Sequence, residues 1–305
     1  MKFPTIPEYQ RIQNLQPPEG SVRMILDTDT YNEIDDQFAV VHALLSPDEL
    51  NVEAIYAAPF HNNRSKDAED GMVKSFDEIL RLLSFLNVES DGFAFRGSTA
   101  FLSNIDSPVE SDATTDLINR ALSDSNEPLY VVAIGAITNV ASAILIEPEI
   151  IKNIVVVWLG GNPLYWPHTR EINLAQDVLG ARVVLDSGVP FVHLPARGVV
   201  SHLLTTVSEM ERYVQGRGRI GDYLVEIFKE YHQDHYAWSK VIWDISATAY
   251  LINSNWVPTE IVHTPILTDA ITWSFDNSRH LMRIATGVNR DAIFRDLFEK
   301  LEKSS

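Results

Sequence analysis

The sequence predicts an α/β fold, in which a doubly wound and mainly parallel sheet is flanked by helices. Three observations indicate it: short apolar segments alternate with segments of helical period, no internal repeat or long linker interrupts them, and polar clusters follow the apolar segments. Parallel strands joined by helical crossovers bring their carboxyl ends to one edge of the sheet, where ligands bind. The 305 residues, 45% of them hydrophobic, suffice for one such core.

The individual strands and helices are predicted from the spacing of apolar residues and from the residues that end each segment. Apolar runs bounded by polar or glycine-containing loops predict strands at 24–26, 52–58, 129–134, 154–159 and 191–194. Helical spacing of apolar residues, and helix ends at Glu147-Pro148 and Gly188, predict the helices. The predicted helices are 36–45, 68–83, 138–146, 175–186, 224–231 and 244–252.

We expect residues 1–20 to form an N-terminal arm and residues 21–305 a single catalytic domain. The first twenty residues are polar and Pro-rich and lack the apolar core of a signal peptide. No apolar run reaches the roughly 18 residues that span a bilayer. The chain has no cysteine, which excludes disulfides, zinc-thiolate sites and a cysteine nucleophile and fits a reducing compartment, so we expect a cytoplasmic protein.

The formal net charge of −18 bears on the class of partner. Binding to a nucleic-acid backbone requires Lys and Arg, so this charge argues against such a partner. It also disfavours a polyanionic substrate. A neutral small molecule is the partner that the composition favours, with neither nucleic acid nor membrane.

The densest cluster of acidic side chains lies at the end of the first predicted strand. Asp27, Asp29, Asp35 and Asp36 fall within ten residues. Crowded carboxylates repel one another, and burial raises the cost of keeping each ionised. A cation is the simplest way to hold them together, and ligands that are all oxygen suit a hard ion such as Ca²⁺ or Mg²⁺.

Taken alone, segment 25–30 resembles the first motif of haloacid-dehalogenase-type phosphatases. That resemblance implies Asp27 as nucleophile, Asp29 as acid and base, and Mg²⁺ as cofactor. The phosphatases also need a later acidic motif after a strand. The nearest candidate, Asp222 with Glu226, falls in an amphipathic segment that we predict to be helical.

The wider pattern resembles the nucleoside hydrolases, which cleave the N-glycosidic bond of ribonucleosides with a bound Ca²⁺. That family opens with a strand, Asp-x-Asp, a short turn and an Asp pair; here Asp27-Thr28-Asp29 is followed, after a loop about two residues longer, by Asp35-Asp36. Further segments resemble the family in its own order over roughly residues 22–255. They are 62–65, 134–141, 159–161, 171–173 and 243–244.

The resemblance implies a set of metal ligands and a general base. Asp29, Asp36, Asp244 and the main-chain carbonyl of Ile134 would bind Ca²⁺, and Asp29 would also take a proton from the attacking water. A carbonyl ligand is indifferent to its side chain, so an isoleucine is acceptable there. An Asp at a helix start is also a common N-cap, so each residue alone is ambiguous.

The resemblance further implies which residues hold the ribose. Asp35 and Asn173 would bind the 2′-hydroxyl and Asp244 the 3′-hydroxyl. Glu171 would receive the 5′-hydroxyl. Two asparagines, Asn63 and Asn162, are further candidates for ribose contact.

The nucleobase side is less constrained. Trp243 stands where the inosine-uridine type has a histidine that protonates the departing base, and it can instead stack on the base, which favours purines. A Ca²⁺-dependent nucleoside or sugar binder without catalysis is the remaining alternative. Members of the family are often oligomers, so the resemblance implies a homodimer or homotetramer acting on small-molecule ribonucleosides.

Overall fold

The computed structural model describes residues 3–123, 125 and 127–304, and it confirms the predicted fold class. The strands are β1 (Val22–Thr28), β2 (Leu50–Ala57), β3 (Ala94–Arg96), β4 (Leu129–Ala133), β5 (Ile154–Leu159), β6 (Phe191–Leu194), β7 (Leu204–Thr205), β8 (Lys240–Val241), β9 (Thr259–His263), β10 (Ile266–Leu267), β11 (Trp273–Ser274) and β12 (Leu281–Ala285). The α-helices are α1 (Glu8–Asn14), α2 (Asp36–Leu44), α3 (Ala68–Leu86), α4 (Asp112–Ala121), α5 (Thr138–Ile146), α6 (Ile172–Gln176), α7 (Val178–Ser187), α8 (Val207–Glu209), α9 (Gly218–Glu230), α10 (Ile245–Ile252) and α11 (Arg290–Ser304).

The central sheet has eight strands in the order β3-β2-β1-β4-β5-β6-β12-β9 within the described residues. All neighbouring strands pair in parallel except β9, which runs antiparallel to β12 at the edge. The chain proceeds from β1 outward to β3 on one side and from β4 outward to β6 on the other. The carboxyl ends of β1 and β4 therefore form a topological switch point, where a crevice for a ligand opens.

The sheet is buried on both faces. Met24 and Leu26 of β1 pack into one apolar layer with α2, α3 and α9–α11, whereas the intervening Ile25 packs into the opposite layer with α4, α5 and α7. Successive side chains of a strand point to opposite faces, so a strand covered on both sides is apolar at every position. This explains why the inner strands are continuous apolar runs in the sequence.

Two predicted helices differ from those observed. The segment predicted as 175–186 is divided into α6 and α7 by Asp177, whose backbone is not helical and whose carboxylate accepts a hydrogen bond from the Gly180 N–H at 2.7 Å. The helix predicted at 224–231 begins at Gly218. An aspartate cap inside an otherwise helical pattern is sufficient to stop one helix and start the next.

The N-terminal arm contains α1 and packs on the domain. Leu15 is buried in the apolar core, and its carbonyl accepts a hydrogen bond from the Arg283 guanidinium of β12. Arg11, also buried, donates to the carbonyl of Gly188. Among the helices of the described chain, none combines the length and apolar character required to cross a membrane.

Candidate active site

The switch point holds a pocket of about 200 Å³. Four segments form its floor: the loop after β1, the start of α2, the residue after β4 and the start of α10. The segments that follow β5 and β6 form its wall. The lining residues are Asp29, Asn32, Glu33, Asp35, Asp36, Ile134, Leu159, Arg170, Glu171, Ile172, Asn173, Ala196, Arg197, Trp243 and Asp244.

Buried carboxylates dominate the floor. One oxygen each from Asp35, Asp36 and Asp244 lies within 4.8 Å of the other two. Asp29 lines the same pocket and is 1% exposed. Asp36 opens α2, while Asp35 and Asp244 precede α2 and α10 without capping them through their side chains. The positive ends of the two helix dipoles favour these charges, and the carboxylates remain available to a ligand.

Burial and mutual repulsion raise the pKa values of this cluster. Loss of solvent is the largest cause for Asp29 and Asp244, whose pKa values lie well above the usual range, and neighbouring carboxylates raise them further. The pKa of Asp36 is raised to about 7 for the same reasons, although a hydrogen bond from the Thr28 hydroxyl at 2.5 Å opposes the shift. Ionised together, these groups destabilise the fold unless positive charge is present.

The residues fit a hard divalent cation. Within the described chain, the buried Oδ1 atom of Asp35 accepts no hydrogen bond, and the Lys240 ammonium lies 3.6 Å from it. Lys240 is itself paired with Glu33, so it offsets only part of the negative charge. The three converging carboxylates offer only oxygen atoms as ligands, the type that calcium and magnesium prefer. The cluster can therefore hold a metal ion.

Asp29 is held in a fixed orientation. The Asn32 side-chain amide donates to Asp29 Oδ2 at 2.9 Å, and Asn32 in turn accepts from the Asn62 amide at 2.6 Å. Gly135, after β4, lies directly against the carboxylate: a Cβ there would stand 2.9 Å from Asp29 Cγ. These contacts restrict the rotamer of Asp29.

Substitution of Gly135 by alanine is therefore expected to displace Asp29. The added methyl group overlaps a carboxylate that a hydrogen bond from Asn32 holds in place, so we expect a loss of about 1–3 kcal/mol in the free energy of unfolding and a fall in kcat/KM. Gly287→Ala is the control, because its Cβ would meet only Pro258 Cγ, at 3.9 Å. Chemical denaturation and steady-state kinetics measure both effects; full activity in Gly135→Ala would contradict the close packing.

Glu171 and Asn173 build the wall beside the floor. Glu171 caps α6 and accepts from the backbone N–H groups of Gly161 at 2.7 Å and Leu174 at 3.2 Å, while burial raises its pKa. The Asn173 amide donates to the carbonyls of Ile134 at 2.9 Å and Leu159 at 3.0 Å, and so ties the ends of β4 and β5 together. Both residues face the pocket and also stabilise its wall.

The remaining predicted residues lie in different places. Trp243 is half-buried, lines the pocket, and donates its backbone N–H to Asp35 Oδ2 at 3.2 Å. Asn162 is buried behind the wall, where its amide donates to the His168 carbonyl at 3.2 Å, and it does not line the pocket. Asn63 is exposed and lines an adjoining pocket instead.

The structure thus brings eight of the ten predicted side chains or carbonyls to one pocket and leaves two outside. Those inside are Asp29, Asp35, Asp36, Ile134, Glu171, Asn173, Trp243 and Asp244.

The adjoining pocket, of about 550 Å³, combines tyrosines with polar and charged side chains, Arg64, Glu78 and Glu230 among them. Tyr31, Tyr223 and Tyr231 line it, and it shares Asn32 and Glu33 with the central pocket. Cavities that hold small molecules commonly measure about 300–1,000 Å³. The central pocket is smaller than this range and the adjoining one lies within it.

Sequence reasoning missed several residues of the pocket. Asn32 and Glu33 lie in the loop between Asp29 and Asp35. This loop is about two residues longer than in the family that the sequence resembles, and that extra length was the available sign that its side chains enter the pocket. The long-range pair of Lys240 with Glu33, and the position of two arginines at the wall, had no signal in local sequence.

The second motif of the phosphatase alternative does not reach the pocket. Asp222 is exposed within α9, where it accepts a hydrogen bond from the Gly216 N–H at 2.8 Å. Asp27 is fully buried beneath the pocket floor and is held by the Asn139 amide at 2.7 Å. The residue that would be the nucleophile therefore has no access to the pocket.

Fold and site together define a class of protein. The chain is a Rossmann-like α/β enzyme whose pocket, at the switch point of the sheet, has a buried acidic floor able to hold a metal ion. The sequence model of the family described as "Inosine-uridine preferring nucleoside hydrolase" matches residues 24–295. The chain belongs to this family, which confirms both the predicted resemblance and the predicted enzyme class of ribonucleoside hydrolases.

Comparisons with individual proteins agree with this membership. The chain is 28% identical over 237 residues to the pyrimidine-specific ribonucleoside hydrolase RihA of Klebsiella pneumoniae (strain 342), covering 69% of this chain and 72% of RihA. Among solved structures it is similar to the plant nucleoside hydrolase PpNRh1, with a TM-score of 0.73 at 19% identity over 92% of this chain and 99% of that one. It is also similar to a purine-preferring ribonucleoside hydrolase from Gardnerella vaginalis, with a TM-score of 0.73 at 18% identity, covering 92% and 98% of the two chains.

Proposed function

We propose that this protein hydrolyses the N-glycosidic bond of ribonucleosides to free base and ribose, with calcium as its cation. The observation that carries the proposal is the convergence of Asp29, Asp35 and Asp36 with Asp244, more than 200 residues away in the chain, on one pocket. Family membership supports a nucleoside as the substrate class.

The cation would be held by Asp29, Asp36, Asp244 and the carbonyl of Ile134. The Asp35 oxygen lies within reach of the same cluster. Calcium accepts six to eight oxygens in a flexible arrangement, which suits a set drawn from four separate segments better than the strict octahedron of magnesium. When bound, it supplies Lewis acidity and orients the vicinal diol of the ribose.

Asp29 would act as the general base. It takes a proton from the attacking water while the water oxygen bonds to C1′ and the bond from C1′ to the base nitrogen breaks. The hydrogen bond from Asn32 occupies Oδ2, which leaves Oδ1 to receive the proton. The departing base nitrogen takes up one proton from solvent and Asp29 returns its proton to solvent, so that one water molecule is consumed overall.

The ribose would lie between the floor and the wall. Asp35 and Asn173 face the 2′-hydroxyl, Asp244 the 3′-hydroxyl and Glu171 the 5′-hydroxyl. Both amide hydrogens of Asn173 are used by carbonyls, so its Oδ1 is the atom that accepts from the sugar. Asn63, expected at the ribose, lines the adjoining pocket and not the central one.

Trp243 would stack on the nucleobase, with a modest preference for purines because they offer a larger ring. Stacking on an aromatic side chain contributes about 1–3 kcal/mol per base, which is about a 5- to 150-fold effect. We expect Trp243→Ala to lower kcat/KM by this factor for inosine and guanosine and by less for uridine, and Trp243→Phe to restore most of the loss. An equal loss for all bases would contradict the purine preference, and no loss for any base would contradict stacking.

Release of ribose from inosine, adenosine, guanosine, uridine and cytidine, measured beside release of phosphate from sugar phosphates, tests the function. Hydrolysis of ribonucleosides without phosphate release supports the proposal. Calcium and ribose bound without turnover of any nucleoside would instead indicate a binding protein without catalysis. Phosphate release alone would overturn the proposal.

A further inference from the structure

Two arginines in the central pocket have no acidic partner. Arg170 and Arg197 are exposed at its wall, beside an otherwise acidic site. Within the described residues, the Arg170 guanidinium reaches only the Ala270 carbonyl, at 3.5 Å, and that of Arg197 forms no ion pair or hydrogen bond. By contrast, Arg120 and Arg279 are paired with carboxylates. In a chain of net charge −18, two unpaired guanidiniums facing one pocket indicate an anionic ligand group.

These arginines lie at the end of the central pocket away from the adjoining pocket. Arg170 and Arg197 follow β5 and β6, whereas the adjoining pocket is lined by residues 62–64 after β2 and by tyrosines that include Tyr31 and Tyr231. β2 and β6 are separated by four strand spacings in the sheet order, or about 19 Å. The adjoining pocket also carries Glu78 and Glu230, whose carboxylates disfavour an anionic group there.

A ribonucleoside held by its 2′,3′-diol has a matching asymmetry. The base on C1′ and the C5′ group on C4′ project from opposite flanks of the ring. If the diol rests on the carboxylate floor and the base stacks on Trp243 and extends toward the adjoining pocket, the C5′ group faces the arginines. We propose that Arg170 and Arg197 form a subsite for a 5′-phosphate, so that the enzyme acts on ribonucleoside 5′-monophosphates. The inference rests on the proposed N-ribohydrolase function.

The local chemistry permits a phosphate at this end. Guanidinium groups bind phosphate through paired, charge-assisted hydrogen bonds. Glu171 is nearby, but its carboxylate already accepts backbone N–H groups from Gly161, Asn173 and Leu174, which offset its charge. In the reaction water adds to C1′, the bond to the base nitrogen breaks, and a proton passes to the base; the products are ribose 5-phosphate and free base, and the phosphate ester stays intact.

The test compares each 5′-monophosphate with its parent nucleoside at low and high salt. We expect a higher kcat/KM for the monophosphate, and this preference should shrink as salt screens the exposed arginines. Removing one charged hydrogen-bond partner costs about 1.5–3 kcal/mol, so Arg170→Gln and Arg197→Gln should each lower the ratio of the two kcat/KM values by about tenfold or more. Arg212→Gln, at an exposed arginine outside the pocket, is the matched control and should leave the ratio unchanged.

Product inhibition gives a second readout. Ribose 5-phosphate should inhibit more strongly than ribose, and the arginine variants should remove the difference. Hydrolysis of nucleosides with no preference for monophosphates overturns this inference and leaves the proposed function intact. A preference for nucleosides with a carboxylated base, such as orotidine, over 5′-monophosphates also overturns it, because the anion then lies on the base. No hydrolysis of either substrate class overturns both proposals.

Discussion

Asp29→Asn is expected to lower ribonucleoside hydrolysis by about 10²–10⁴-fold, the usual contribution of a general base. The amide retains the size and the contact with Asn32 but has no basic oxygen for the proton of water. It also removes one negative charge from the cation site. The fold should persist, because burial and repulsion from Asp36 already raise the pKa of Asp29 and a neutral group relieves both. Steady-state assays and thermal unfolding measure the two effects.

Asp27→Asn is the matched control. Asp27 is equally buried, and burial raises its pKa to about 7, but its side chain does not line the pocket. An asparagine can keep the hydrogen bond from Asn139, so most of the hydrolysis should remain. Loss of activity in Asp27→Asn together with retained activity in Asp29→Asn would contradict the assigned mechanism. It would favour the phosphatase alternative, in which Asp27 is the nucleophile.

The inner sheet was predictable because each strand is covered on both faces. β5 and β6 have the bounds that the apolar runs predict. β12 escaped prediction because it joins the sheet beside β6 from the far end of the chain and contains Arg283. The guanidinium of Arg283 is buried through hydrogen bonds to the Leu15 carbonyl and to Thr259, contacts that no local pattern reveals.

Within the candidate site, the sequence predicted residues set by strand ends and helix starts. The position of Asp36 and of Asp244 follows from where α2 and α10 begin. Residues placed by loop geometry were harder: the amide of Asn62, and not that of its neighbour Asn63, reaches Asn32. Which of two neighbouring loop side chains points inward depends on how the loop folds, and no local pattern reveals it.

On the proposed assignment of the cation as calcium, its removal is expected to abolish activity and to destabilise the protein most at alkaline pH. Without a cation, Asp36 has a folded pKa of about 7 against an ordinary value of 3.8. As the pH rises from about 4 to about 7, the unfolded chain releases this proton while the folded chain retains it. The free energy of unfolding of the chelated protein therefore falls with rising pH, by about 1.4 kcal/mol for each unit of pKa difference.

A bound cation reverses this trend because it favours the ionised carboxylates. A ligand at 100 times its Kd stabilises the folded state by about 2.7 kcal/mol, and the gain in Tm on adding calcium should be larger at pH 8 than at pH 5. Calcium should restore activity to the chelated enzyme more fully than magnesium, since the donor set comes from four segments of the chain. Hydrolysis that survives chelation, or a calcium-induced gain in Tm that is the same at both pH values, would contradict metal binding at this cluster.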